Sequence, residues 1–135
     1  MRRIEVERGV VSLVAGTGEP GPAMDHIPAL EATFGSEPGA RFDGPFSLSL
    51  DEAGNIFIGD TYNHVVRMAE RATGRIRTIA GKREAEPGLR NDPAETDPLK
   101  LNLPKICSMD YYDDCLFIPD WSDDLAVLEK QEGGD

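Results

Sequence analysis

The side chains of this sequence best equipped for chemistry fall into two short clusters of similar order, Asp60-Thr-Tyr-Asn63-His64 and Asp120-Trp121-Ser-Asp123-Asp124. Carboxylates and imidazole can ligate a metal ion or move a proton. Tyr62 and Trp121 offer rings that a ligand can cover. The same residues also have a plainer use: a short acid in a turn accepts backbone N–H groups and fixes the turn. Asp60 and Asp120 recur once per unit, as architecture does, so Asp60, Asn63 and His64 are read as framework. The counterpart of His64 is Asp124, so a role for this imidazole is not shared between units. Trp121 is left between two readings, a binding contact or packing beneath residues 82–103. Asp113-Asp114 and Asp123-Asp124 look like paired acids, but each pair lies in an expected turn. Arg67 and Arg77 read as exposed or paired strand charges.

Other chemistry has no carrier. The sequence has no Gly-rich phosphate loop, nucleophile elbow or Ser/His/Asp arrangement. Cys107 and Cys115 are expected in neighbouring strands as small buried apolar residues, with a turn between them too long for a directly opposed pair. With only His26 and His64 for company, they do not make a zinc site. No catalytic residue, metal ligand or cofactor is therefore nominated.

The elements that must position these clusters follow from an internal repeat. Gly44-Pro45, Phe46–Leu50, Asp51-Glu-Ala-Gly-Asn55, Ile56-Phe-Ile58 and Gly59-Asp60 match Leu103-Pro104, Lys105–Met109, Asp110-Tyr-Tyr-Asp-Asp114, Cys115-Leu-Phe-Ile118 and Pro119-Asp120. Pro45 maps to Pro104 at an offset of 59 and Asp60 to Asp120 at 60, which reads as one extra residue in the second copy's hairpin turn. Period-two apolar residues predict strands at 46–50, 55–59, 64–69 and 75–80, with Phe46, Leu48 and Leu50 on one face. Asp51 and Gly54 meet the demands of a tight hairpin turn, and Ala72-Thr-Gly74 closes the next one. The second copy predicts strands at 105–109, 115–119 and 124–128. At the amino end, Gly9–Gly16 matches Gly74–Gly81 at an offset of 65, preceded by Arg3–Val6 as the match for Arg67–Glu70. Such a period signals units that bury their faces only by stacking. The connections 17–43 and 82–103 are rich in proline and acids and read as surface loops, the first with a turn or two of helix within Met24–Phe34 and Pro28 at its first position.

Bulk properties narrow the class. The chain has 135 residues, 39% of them apolar, and a formal net charge of −11. That charge argues against nucleic acid and anionic membranes, which ask for Lys and Arg. No run approaches a bilayer-spanning length of about 20 apolar residues, and the charged amino terminus lacks the apolar stretch of a secretory signal. A cytoplasmic location is expected.

Pro45…Asp51-x-x-Gly54-Asn55-Ile-Phe-Ile-Gly-Asp60-Thr-x-Asn63-His64-x-x-Arg67, followed by Thr73-Gly74-x-Ile76-x-Thr78-Ile79-Ala80-Gly81, resembles the NHL repeat of β-propellers. The likeness covers nearly the whole chain: a complete unit at 44–81, the end of a preceding one at 2–16, and a degenerate three-stranded one at 103–129. It implies an all-β fold, a partial β-propeller of about two four-stranded antiparallel blades in a single domain, 1–135. In that geometry the turns at 60–64 and 120–124 and the long connections share one face. That face would gather Asp25, Asp60, Asp92, Glu95, Asp97, Asp120, Asp123 and Asp124 beside Tyr62, His64 and Trp121. The resemblance implies a non-catalytic module for protein or ligand binding through this acidic face. The alternative is a piece of a metal-dependent propeller lyase or hydrolase. Expected partners are a protein or further copies meeting at unpaired edge strands: either the chain is a fragment of a longer propeller, the reading slightly favoured, or copies assemble, three chains completing a six-bladed ring.

Overall fold

The computed structural model describes residues 1–35, 44–86, 89–119 and 125–129. Its ten strands are β1 (Arg2–Glu5), β2 (Val10–Leu13), β3 (Ile27–Pro28), β4 (Ser47–Leu50), β5 (Ile56–Asp60), β6 (Val65–Ala69), β7 (Arg75–Gly81), β8 (Asp110–Tyr112), β9 (Cys115–Pro119) and β10 (Leu125–Glu129). They form three antiparallel sheets: β1-β2, β3-β7-β6-β5-β4 and β10-β9-β8. Only single 3-10 turns interrupt them, and none of the sheets closes on itself among the described residues. The protein is all-β, and no described helix is long and apolar enough to cross a membrane.

The four strands expected at 46–80 form β4 to β7, a hairpin-linked meander. Asp51 Oδ1 accepts from Asn55 N at 2.9 Å, and Gly54 takes φ +85°, so the expected turn chemistry sets the first hairpin. A bulge opposite Val66/Arg67 shifts the β6–β7 register before the strand ends at Gly81.

Pairing at the amino end carries the offset of 65 through both strands, so Arg2, not Arg3, stands where the central sheet has Arg67. Ile4 faces Val11 as Ala69 faces Ile76, and Arg2 faces Leu13 as Arg67 faces Thr78. The turns match as well. Gly9 N donates to Glu5 O at 2.7 Å and Gly74 N to Glu70 O at 2.9 Å, with φ of +63° and +69° at the two glycines.

Because its strands alternate, the central sheet buries both faces. Ile58, Ala69 and Ile76 pack with Ala15, Ala29, Ala32 and Phe34 on one side. Phe57, Val66 and Ala80 pack with Leu103, Ile106, Met109, Leu116 and Ile118 on the other. Each fully buried isoleucine contributes on the order of 1.5–3 kcal/mol, so the sheets adhere mainly by apolar contact.

Several expectations change. The third unit's first strand lies at Asp110–Tyr112 instead of 105–109. Tyr112 pairs with Cys115 across a two-residue turn, with Asp113 and Asp114 both at positive φ. In the first copy the closing pair is Leu50 and Ile56, across residues 51–55, so the second copy's turn is shorter, not longer. The extra length lies between Pro104 and β8. Cys107 consequently precedes the strand, and both cysteines are free and half-buried. Burial, with Glu129, Asp113 and Asp114 nearby, pushes the Cys115 thiol above its usual range. The strand expected at 124–128 is β10, at Leu125–Glu129.

The connection 17–35 is more than a surface loop. Ile27-Pro28 adds a fifth strand to the edge of β7, Ala29–Glu31 forms a single 3-10 turn, and Ala23, Ala29, Ala32 and Phe34 are buried. Pro28 precedes that turn and no longer helix follows, because the backbone there is spent on pairing with Arg75 and Ile76.

Candidate functional site

The segment Asp60–His64 joins β5 to β6 as a 3-10 turn over Thr61–Asn63, closed by His64 in the left-handed region at φ 60°. Its polar side chains point two ways. Toward the preceding connection, Asp60 Oδ1 accepts from Gly35 N at 2.9 Å and Asn63 Nδ2 donates to Gly21 O at 3.1 Å. Toward the third unit, Thr61 Oγ1 donates to Ile106 O at 2.6 Å, and His64 Nδ1 lies 3.0 Å from Pro104 O. One turn thus ties the central sheet to both neighbours. Tyr62 is half-buried and meets Phe46 edge-on, with ring centroids 5.6 Å apart.

At the centre of this network lies Arg67, fully buried, as is Asp60. Arg67 Nη1 is 3.7 Å from Asp60 Oδ2, Nη1 donates to Thr33 O and Nη2 to Met24 O, both at 2.7 Å. The guanidinium carbon lies 5.0 Å from the Phe34 ring centroid. Asn63 Nδ2 donates to Asp60 Oδ2 at 2.8 Å. Burial raises the Asp60 pKa above its ordinary value, opposed by the Asn63 and Gly35 hydrogen bonds and by Arg67. Burial likewise lowers that of Arg67, opposed by Asp60. Both groups are saturated by framework partners, apart from Arg67 Nε, which has no hydrogen-bond partner among the described residues. Asp60 therefore does not present its carboxylate to solvent. The sequence pointed to Asp60, Asn63 and His64, but Arg67 passed as an ordinary strand charge, since its partners lie 34 and 43 residues away.

The remaining predicted residues are spread out. Asp120, Trp121, Asp123 and Asp124 lie outside the described residues. Asp25 Oδ1 accepts from Thr78 N at 2.6 Å, beside β7. Asp92 caps Ala94 N and Asp97 caps Leu99 N, both in exposed chain. Asp97 shares a groove with Asp51 and Asp114, which belong to the opposite hairpin turns, so the long connections do not keep to one side. Among the described residues no group of three or more His, Cys, Asp or Glu could hold a metal ion. Asn102, not singled out by sequence, is buried and holds the second connection. It accepts from Glu86 N at 2.8 Å and donates to Glu86 O and Leu89 O.

A groove of about 470 Å³ separates the central sheet from β8–β10. Phe57, Met68, Ile79 and Leu116 supply its apolar lining, while Asp51, Glu70, Asp97, Asp114 and Glu129 set acids around it, with Arg77 the single cation among the described residues. Arg77 Nε is held by Glu70 at 2.9 Å. Tyr111 stacks on Phe57 at 5.8 Å, and its hydroxyl lies 2.9 Å from both Glu52 and Asp114. Partial desolvation, then these two acceptors, hold its pKa well above the usual phenol value.

No family model matches the chain, and no curated protein matches it. Among solved structures it is similar to a structural genomics protein of unknown function from Bacteroides thetaiotaomicron, with a TM-score of 0.63 and 21% sequence identity. The match takes in 93% of this chain but only 29% of that one, so the chain spans less than a third of its structural neighbour. At this identity the likeness concerns the fold alone.

Proposed function

We propose that the chain is an NHL-type β-propeller segment, organised as the units 2–16, 44–81 and 103–129, that acts as a non-catalytic binding or scaffolding module. The observation that carries this reading is the fate of the polar residues in the Asp60–His64 turn. Asp60, Thr61 and Asn63 are buried and bonded to Gly35 N, Ile106 O and Gly21 O, and His64 Nδ1 meets Pro104 O, so these groups tie the central sheet to the chain on either side, as stacked units require. What is left for recognition is exposed acidic chain. Asp92 and Glu95 are exposed, and the net charge is −11, which suits a basic protein segment.

The test titrates the full chain with an oligolysine peptide, with oligoglutamate as control. Binding that weakens as salt rises, and weakens again in an Asp92→Lys/Glu95→Lys variant, supports the reading. Absence of binding, or binding indifferent to that variant, counts against it. The catalytic alternative is read in parallel by thermal shift with Ca²⁺, Mg²⁺, Mn²⁺ and Zn²⁺. An ion that binds the native state raises the melting temperature, and a saturable rise would overturn the non-catalytic reading.

A further inference from the structure

The groove between the central sheet and β8–β10 combines an apolar floor with an acidic rim. Packing between units builds the floor: Tyr111 stacks on Phe57, with ring centroids 5.8 Å apart, beside Met68, Ile79 and Leu116. Leu99, 52% exposed, stands in the wall. The volume of about 470 Å³ lies within the range of about 300–1,000 Å³ found for ligand pockets.

The charge on the rim is not neutralised from within. Glu70 is matched by Arg77 at 2.9 Å. Asp97 accepts from Leu99 N and Asp114 from the Tyr111 hydroxyl, and these neutral donors leave the negative charges in place. Glu129 is exposed at the end of β10. The ion pairs among the described residues engage Glu5, Asp60 and Glu70, so Asp97, Asp114 and Glu129 stand outside them. The Tyr111 oxygen lies 2.9 Å from both Glu52 and Asp114 but has one proton to give. One of those carboxylates therefore faces it without a donor. Two neighbouring groups register the field. The Tyr111 phenol is raised by partial desolvation and then by Glu52 and Asp114, and the Cys115 thiol by burial and then by Glu129, Asp113 and Asp114.

An apolar floor under uncompensated acid favours a particular chemistry. Anionic ligands are repelled, and a bare metal ion gains nothing from aromatic and aliphatic walls. A lysine or arginine side chain suits both parts, because its methylene stem covers apolar surface while its head reaches the charged edge. We propose that the groove is the docking site for a short segment of a partner protein in which a large apolar residue is flanked by lysine or arginine. The apolar side chain lies on the floor, and the cationic heads meet Asp97, Asp114 and Glu129. The proposal rests on the binding-module reading above and gives that module a site and a partner chemistry.

The test titrates the full chain, by isothermal calorimetry, with three capped pentapeptides: lysine alternating with leucine, lysine with serine, and serine with leucine. The lysine–leucine peptide should bind at least about tenfold more tightly than either control, and its affinity should fall as salt rises. Amide shift changes on binding should centre on Phe57, Ile79 and Leu116. Leu99→Lys and Glu129→Lys, both at exposed positions, should keep the wild-type circular dichroism spectrum and each weaken this peptide about fivefold. If either fails to fold, Ala72→Lys, exposed and in the same lining, takes its place. Asp92→Lys/Glu95→Lys should weaken the peptide less than either groove variant does.

Equal binding by the serine–leucine peptide, shifts that fall elsewhere, or affinity indifferent to Leu99→Lys and Glu129→Lys would each overturn the docking. Binding lost in Asp92→Lys/Glu95→Lys but kept in both groove variants would overturn it too, and would leave the binding-module reading standing with its contact on the exposed connection. If no pentapeptide binds, the docking falls, and the oligolysine titration decides that reading separately.

Discussion

Arg67 gives the sharpest test of the packing argument. Truncation to alanine removes two charge-assisted hydrogen bonds, to Thr33 O and Met24 O, together with the Asp60 ion pair and the contact with the Phe34 ring. Hydrogen bonds to a charged group contribute about 1.5–3 kcal/mol each. Removing one partner of a buried pair costs about 3–5 kcal/mol, because the other charge is left without compensation. These figures describe the same event and do not add. The expected loss for Arg67→Ala is therefore about 3–5 kcal/mol, a large part of a typical domain stability of about 5–15 kcal/mol. Urea unfolding followed by circular dichroism measures it. Arg67→Met keeps most of the volume and should cost nearly as much, since the loss is electrostatic. Adding Asp60→Asn to Arg67→Met removes the stranded charge, so the double variant should be more stable than the sum of the singles implies by about 0.5–3 kcal/mol. A loss below about 1 kcal/mol for Arg67→Ala, or strict additivity in the cycle, would refute the claim that this pair anchors the 21–35 connection.

Four further outcomes follow from the same geometry. The Asp60 carboxyl holds its proton more tightly folded than unfolded, so its stabilising effect is fully present below the ordinary value of 3.8 and is lost as the pH rises through the folded pKa. The stability of the wild type relative to Asp60→Asn should accordingly grow on acidification across that window, measured by urea unfolding at a series of pH values. Tyr111 is raised in the same sense, so its contribution is complete below pH 10.0 and is lost as the pH rises through its folded pKa. Tyr111→Phe should remove the highest-pH step of the ultraviolet phenolate titration. Gly81→Ala should destabilise by well over about 1–3 kcal/mol, since φ is +86° and a Cβ would run into His64 O. Gly74→Ala, at φ +69° with open space around it, should cost only about 1–2 kcal/mol in thermal or urea unfolding. Thr61→Val leaves Ile106 O without its donor and should cost about 1–3 kcal/mol, with faster amide exchange in Leu103–Met109 than in β5.

Some of this protein could be read from residue order alone. The hairpin at Asp51–Asn55, the four strands that follow Pro45 and the equivalence of Gly9 with Gly74 depend on neighbours in sequence. Period-two patterning and turn chemistry act at that range, and the structure agrees with them residue by residue. The framework role read for Asp60 and Asn63 came from recurrence, and their hydrogen bonds show the physical form it takes.

Tertiary structure decided the rest. Arg67 has a polar side chain on a strand, and only the meeting of β6 with residues 24–34 turns it from a surface charge into a buried one. The third unit's register followed the Asp113-Asp114 turn instead of the alignment, because two residues at positive φ close a hairpin more tightly than the five-residue turn of the first copy. Ile27-Pro28 became an edge strand because the outer edge of β7 offered it hydrogen bonds, a choice that no local pattern encodes. That β1–β2 stays bare was likewise invisible in sequence. Ile4, Val11 and Leu13 are apolar in the manner of any strand, and only the placement of the neighbouring sheets shows that they are uncovered. Local chemistry thus set the units, while contacts across 25 to 45 residues set how each unit is held and what it leaves exposed.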